Sequence, residues 1–290
     1  GKECQPPAPM RHDEGMRRLL WVPVLLVLSG CALTEVPYDP PITPEQWCEQ
    51  RPCVDVGSVV LNEPLGTFLV FTLALLWIAV GVGFLVTRRG QMSRGWLGVA
   101  LILGGVGAAQ AGVSYQAFSY ELKCAGKEFC TYTNGFEVGY SITQAWSVSA
   151  MLVAVAYACT LARRGVMIYA LANAVVYTIV AIAGVLLPSI VLLSFEVLML
   201  FALPGIILVI VLAARSKEPA SRPILIAAVL LIVVNVAYFA YYAAGITETL
   251  WDGGDGFYFS ANDVLHVGMI AWLVYVAAAV GPRLRDLSPR

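Results

Sequence analysis

The chain has 290 residues, of which 59% are apolar and only 13% charged, and its formal net charge is -1. A soluble domain of this length would need far more charged surface to remain in water, so that class is excluded. No basic run with interleaved aromatics is present, which argues against nucleic acid as a partner. What remains is one membrane domain.

Taken in chain order, residues 1–15 do not begin with Met and read as upstream sequence or a misplaced start. Residues 16–30 have the layout of a lipoprotein signal peptide: Arg17 and Arg18, a short apolar run, then Leu28-Ser29-Gly30 before Cys31. The run is too short to cross a bilayer, which takes about 20 apolar residues. Cys31 is then expected to be the lipidated first residue of a mature bacterial protein. Residues 31–64 follow as a periplasmic segment.

Seven apolar stretches are long enough to span: 65–86, 96–118, 136–161, 166–187, 189–214, 224–244 and 262–280. The expected fold is an all-α membrane protein, a seven-transmembrane-helix bundle over 65–282, with a cytoplasmic tail at 283–290. Basic residues orient it. Arg88, Arg89, Arg94, Arg163, Arg164, Arg215, Lys217, Arg222, Arg283, Arg285 and Arg290 fall on one side, and Arg51, Lys123 and Lys127 on the other. That bias places the N-terminus outside, in the periplasm, with the protein in the bacterial inner membrane. Cys48, Cys53, Cys124 and Cys130 all lie on the outer, oxidising side, where two disulfides are expected; the pairing is open between local links and cross-links. Cys159, inside the third span, reads as a small packing residue.

Polar groups inside spans are costly and mark interior or water-filled positions. They concentrate in the outer halves of the helices: Gln110, Ser114, Gln116 and Glu121 at the second, Glu137, Tyr140, Ser141 and Gln144 on one face of the third, Ser194 and Glu196 at the fifth, Asn235, Tyr238, Tyr241 and Tyr242 along the sixth, and Asn262, Asp263 and His266 at the seventh. The expectation is a polar pocket opening outward. Asp263 is equally suited to capping the seventh helix, and Glu196 is expected to need a proton, a partner or water. The loop 245–259, carrying Trp251, Asp252, Gly253, Gly254, Asp255 and Gly256, is a candidate lid or a plain connector.

The segment Trp47-Cys48-Glu49 with Arg51-Pro52, then Asn62-Glu63-Pro64-Leu65-Gly66-Thr67 entering the first span, resembles the alkaline-ceramidase-like membrane hydrolases of the CREST group. The family's seventh-helix H-x-x-x-H is matched by Asn262-x-x-x-His266 at its second position only. Ser114 or Ser119 and Glu137 occupy places similar to the family's Ser and Asp. The resemblance implies a seven-helix fold, a lipid substrate and amide hydrolysis by a zinc held on three His. Apart from His12, the chain has only His266, so a three-His zinc site is excluded. Glu49 and Glu63 fall near the family's calcium-binding segment, but Arg51 stands where an oxygen ligand would be needed.

Two functions follow as expectations. One is a divergent ceramidase-like protein whose pocket binds a membrane lipid or other amphiphile, with Glu137, Asp263, His266 and Ser114 as candidates for catalysis and Glu137, Asp263 and His266 as ligands for a harder metal. The other is a non-catalytic sensor or assembly protein that kept the fold. A retinal protein is excluded, since no span contains a Lys for the Schiff base.

Overall fold

A computed structural model describes residues 36–57, 59–253 and 257–288. The expected signal peptide and Cys31 lie outside the described residues. Among those described, seven helices are long and apolar enough to cross a membrane. They are α2 (Pro64–Val86), α3 (Met92–Ala111, continued by a π-helical turn over Gly112–Ala117), α5 (Gly135–Cys159), α6 (Arg163–Leu186), α7 (Phe195–Arg215), α8 (Ser221–Ala243) and α10 (Ala261–Tyr275, continued by a π-helical turn and a 3-10 turn to Arg283). Short helices α1 (Pro44–Glu49), α4 (Ser119–Lys123) and α9 (Ile246–Asp252) lie outside the spans.

Leu75, Phe68, Ile179, Leu200 and Val236 are exposed around the bundle. In water such a belt would drive aggregation, whereas in a bilayer it is the solvated surface. The protein is therefore a multi-pass membrane protein. Helix α5 is the most enclosed span, 61% buried along its apolar window against 17% for α8. It packs against α3, α6 and α7, while α2 packs against α3 and α10, and α8 against α7 and α10. Trp77 of α2 and Trp272 of α10 stack at 5.5 Å, and the Trp272 indole donates to the Ala227 carbonyl of α8 at 2.8 Å. Three helices are thus locked at one level.

Several span boundaries shift by a few residues from the sequence reading, the start of the fifth the most. The fifth span starts at Phe195 rather than 189, because residues 187–194 form turns before Ser194 caps the helix by accepting from the Val197 amide. Pro204 does not break α7, which runs through it to Arg215. The segment 245–259 is not a uniform loop either. Residues Ile246–Asp252 form α9, whose Trp251 indole donates to the Glu49 carbonyl at 2.9 Å; residues 254–256 lie outside the described residues.

One end of the bundle carries a small cap. Strand β1 (Pro37–Asp39) pairs antiparallel with β4 (Cys130–Thr131), and β2 (Cys53–Val56) with β3 (Val59–Asn62). The disulfides are local, Cys48–Cys53 and Cys124–Cys130, which settles the open pairing. The buried Asn62 anchors the cap: its carbonyl oxygen accepts from the Trp47 indole at 2.9 Å, and its amide donates to the Ala117 carbonyl at 3.2 Å.

The opposite end gathers the arginines and is closed by the C-terminal segment. The Asp286 carboxylate accepts from the Met92 and Ser93 amides at 2.8 and 2.7 Å, satisfying donors that the first turn of α3 leaves free. Asp286→Ala is expected to cost about 1 kcal/mol, as loss of a helix cap does; a thermal-unfolding midpoint in detergent equal to the parent's would contradict that role.

Candidate functional site

Beneath the cap, a cavity of about 980 Å³ runs between the helix ends. Its polar wall includes Arg51, Ser119, Lys123, Glu137, Tyr140 and Asn262. On the α7 side it is lined by Leu193, Phe195 and Leu198, with Val138 of α5 beside them.

Glu137 anchors the polar wall. Asn134 caps α5, its side chain accepting from the Phe136 and Glu137 amides at 2.9 and 3.3 Å, and so fixes the first turn that presents Glu137. The Glu137 Oε1 atom accepts the Ser114 hydroxyl at 2.7 Å and forms an ion pair with the Lys123 ammonium. Ser114 in turn accepts from the Asn134 amide at 2.6 Å. The Lys123 ammonium also lies 5.0 Å from the centre of the Tyr115 ring, which stacks edge-on against Tyr140 at 6.2 Å. Ser114 is wholly buried, does not line the cavity, and serves to orient Glu137 rather than to meet a substrate.

A second polar group sits where α2 and α10 enter the bundle. Glu63, in a left-handed backbone conformation at φ 42°, precedes Pro64. Its Oε1 atom receives the Tyr258 hydroxyl at 3.2 Å and faces the Arg51 guanidinium at 3.5 Å. That guanidinium also lies over the Trp47 ring at 4.1 Å. Burial pushes the Glu63 carboxyl up to about 7 and the charge of nearby Asp263 adds to this, against the pull of Arg51 and the Tyr258 hydrogen bond. Since the folded value lies above the ordinary 4.5, the fold favours the protonated acid. This contribution to stability is complete below about 4.5 and is lost as pH rises through about 7. The thermal midpoint should therefore fall across that window, and Glu63→Gln should flatten the profile; an equally steep fall in the variant would contradict the assignment.

Asp263 does cap α10. With Ser260 it forms a reciprocal capping box, Oδ2 accepting from the Ser260 amide at 2.7 Å and its hydroxyl at 3.0 Å. His266 follows one turn later, buried, with Nδ1 unpartnered.

The other sequence candidates scatter. Glu121 accepts from the Val60 amide at 3.0 Å and holds the β2–β3 hairpin. Gln144 donates to the Gly104 carbonyl at 3.3 Å and so joins α5 to α3. Asn235 bonds back to Leu231 in its own helix, and Tyr238 packs edge-on against Phe239. Glu196 is exposed in the first turn of α7, so it has none of the burial expected of it. Nor do Glu137, Asp263 and His266 form the expected metal centre: among the described residues, no three of His, Cys, Asp and Glu come together as a ligand set. Lys123, Arg51 and Glu63 were not among the sequence candidates for the pocket. Their charges lie near helix ends, where solvation is cheap, and only the cap above them removes the water.

Compared with protein-family models, curated proteins and solved structures, the chain matches none.

Proposed function

We propose that this chain is a divergent ceramidase-like membrane lipoprotein whose cavity binds a lipid or other amphiphile, with the cap facing outward from a bacterial inner membrane. The observation that carries the reading is the two-sided lining of the 980 Å³ cavity. Paired charges (Lys123 with Glu137, Arg51 with Glu63) stand on one side, and Leu193, Phe195 and Leu198 on the other. Paired charges offer both donors and acceptors without a net field, which suits a hydroxylated or zwitterionic head group, and the apolar wall suits an acyl chain. The outward orientation is supported by the arginines at the far end and the disulfides in the cap.

Glu137 is the candidate acid or base if the bound amphiphile is hydrolysed. The non-catalytic reading is favoured by the burial of Ser114 and by the lack of a three-residue ligand set among the described residues. Binding of a fluorescent amphiphile to purified protein tests the pocket. Ser141→Trp, which fills the cavity beside Tyr140, should weaken binding at least about tenfold, or about 1.4 kcal/mol, without lowering the thermal midpoint. Unchanged affinity would sink the proposal. Release of fatty acid from amide and ester amphiphiles, lost in Glu137→Gln, would favour the enzyme; no release would favour the binding protein.

A further inference from the structure

The two carboxylates at the entry of α2 and α10 each use one oxygen for structure and leave the other without a partner. Glu63 Oε1 is taken by Tyr258 and Arg51, and Asp263 Oδ2 by Ser260. Glu63 Oε2 and Asp263 Oδ1 are buried with no hydrogen-bond partner, and so is Gln116 Oε1 from the π-helical turn of α3. These side chains belong to residues only 5%, 1% and 2% exposed.

All three side chains converge on Gly66. A Cβ placed there would stand 3.0 Å from Asp263 Oδ1, 3.5 Å from Glu63 Oε2 and 3.3 Å from Gln116 Cγ. The absent side chain leaves a space bounded by two carboxylate oxygens and the aliphatic stem of Gln116. Leaving a buried polar atom unsatisfied costs its desolvation with nothing in return, and native proteins rarely leave several around one point without a reason. With both acids ionised, two carboxylates face one paired cation, Arg51, among the described residues, so a cation here would compete with the proton that burial favours on Glu63.

We propose that Glu63, Asp263 and Gln116 bind a hard, oxygen-ligated metal cation in the space beside Gly66. Oxygen-only ligands exclude the softer transition metals and suit Na⁺ or Ca²⁺. The single uncompensated charge fits Na⁺ best. His266, one turn beyond Asp263, is not among the ligands, because its nitrogen is the wrong donor for such an ion. The ion would tie the chain entering α2 to the π-helical turn of α3 and the start of α10, so the site stabilises the cap over the cavity. The inference does not depend on what the cavity binds.

The test uses the purified full chain in detergent, with choline chloride holding ionic strength constant. Adding Na⁺ or Ca²⁺ should raise the thermal midpoint by about 5 °C at saturation, as a ligand bound only by the folded state does. Equilibrium dialysis with the same ion should give one ion per chain. Asp263→Asn, which keeps a capping oxygen, should abolish the shift, and so should Gly66→Ala, which keeps every charge but fills the space. Glu196→Gln, at an exposed carboxylate, should retain it. A shift with either ion that is lost in both site variants supports the proposal. No shift with either ion, as expected if a buried water alone serves these oxygens, overturns it. So does a shift that persists in both variants.

Discussion

Replacing Lys123 with Met is expected to destabilise the protein by about 3 kcal/mol, the low end for breaking a buried ion pair. Glu137 is 5% exposed at its side chain and Lys123 only 16%, so the ammonium cannot be replaced by bulk water. Without it the Glu137 carboxylate keeps the Ser114 hydroxyl but loses its only paired cation among the described residues. The double variant Lys123→Met with Glu137→Gln should recover most of the loss, because it removes the charge together with its partner. Urea or thermal unfolding of the single and double variants gives the coupling directly. Equal losses in both would mean that Lys123 acts through packing on Tyr115, which it also meets, rather than through charge.

The second large effect is expected where α2 meets α3. Gly98 and Gly81 face each other: a Cβ on Gly98 would lie 2.7 Å from the Gly81 carbonyl oxygen, and one on Gly81 would lie 2.8 Å from the Gly98 carbonyl oxygen. Both obstacles are backbone, so neither can rotate away. Small residues let membrane helices approach until their backbones touch, and dispersion then holds them, since lipid supplies no hydrophobic drive between helices. Gly98→Ala must push the helices apart and is expected to cost about 2–3 kcal/mol, the upper part of the overpacking range. The strain would reach Trp77, which lies against Gly104 further along the same interface and stacks on Trp272. Gly83→Ala is the control. It lies in α2, two residues beyond Gly81, with nothing within 4 Å of the added carbon, and should be neutral or slightly stabilising through helix propensity. A Gly98→Ala protein as stable as Gly83→Ala would show that the helices are not in backbone contact.

Both predictions concern residues that hydropathy cannot single out. Gly98 is one of several glycines in an apolar stretch, and its importance depends on which helix face meets α2. Lys123 reads as an ordinary charge just past a helix end. Glu196 shows the opposite failure. Counting from the expected start of its span put it two turns into the bilayer, yet the turns over residues 187–194 move the start of α7 to Phe195 and leave Glu196 exposed in the first turn. Depth inferred from a span boundary is only as good as that boundary, and Pro188 with two serines blurs it.

Asp263 illustrates a residue whose two readings were both legible without being mutually exclusive. The Ser260-x-x-Asp263 spacing announces a capping box, and the structure forms it. The same carboxylate has a second oxygen, and its surroundings come from Glu63 and Gln116, which belong to other parts of the chain.

The sequence by itself determined the seven spans, because each needs only local hydropathy and length, and it placed four cysteines at one end of the bundle. It also determined that no three-His zinc site can form, since composition alone decides that. Tertiary structure alone decided which cysteines pair, that Glu137 meets Lys123 and Ser114 while Glu196 meets none of them, and that two buried carboxylate oxygens and the Gln116 side chain surround Gly66. Those outcomes depend on helix rotation and on the cap's closure over the bundle. Both are set by side-chain packing between distant segments, which a pattern read along one segment does not contain.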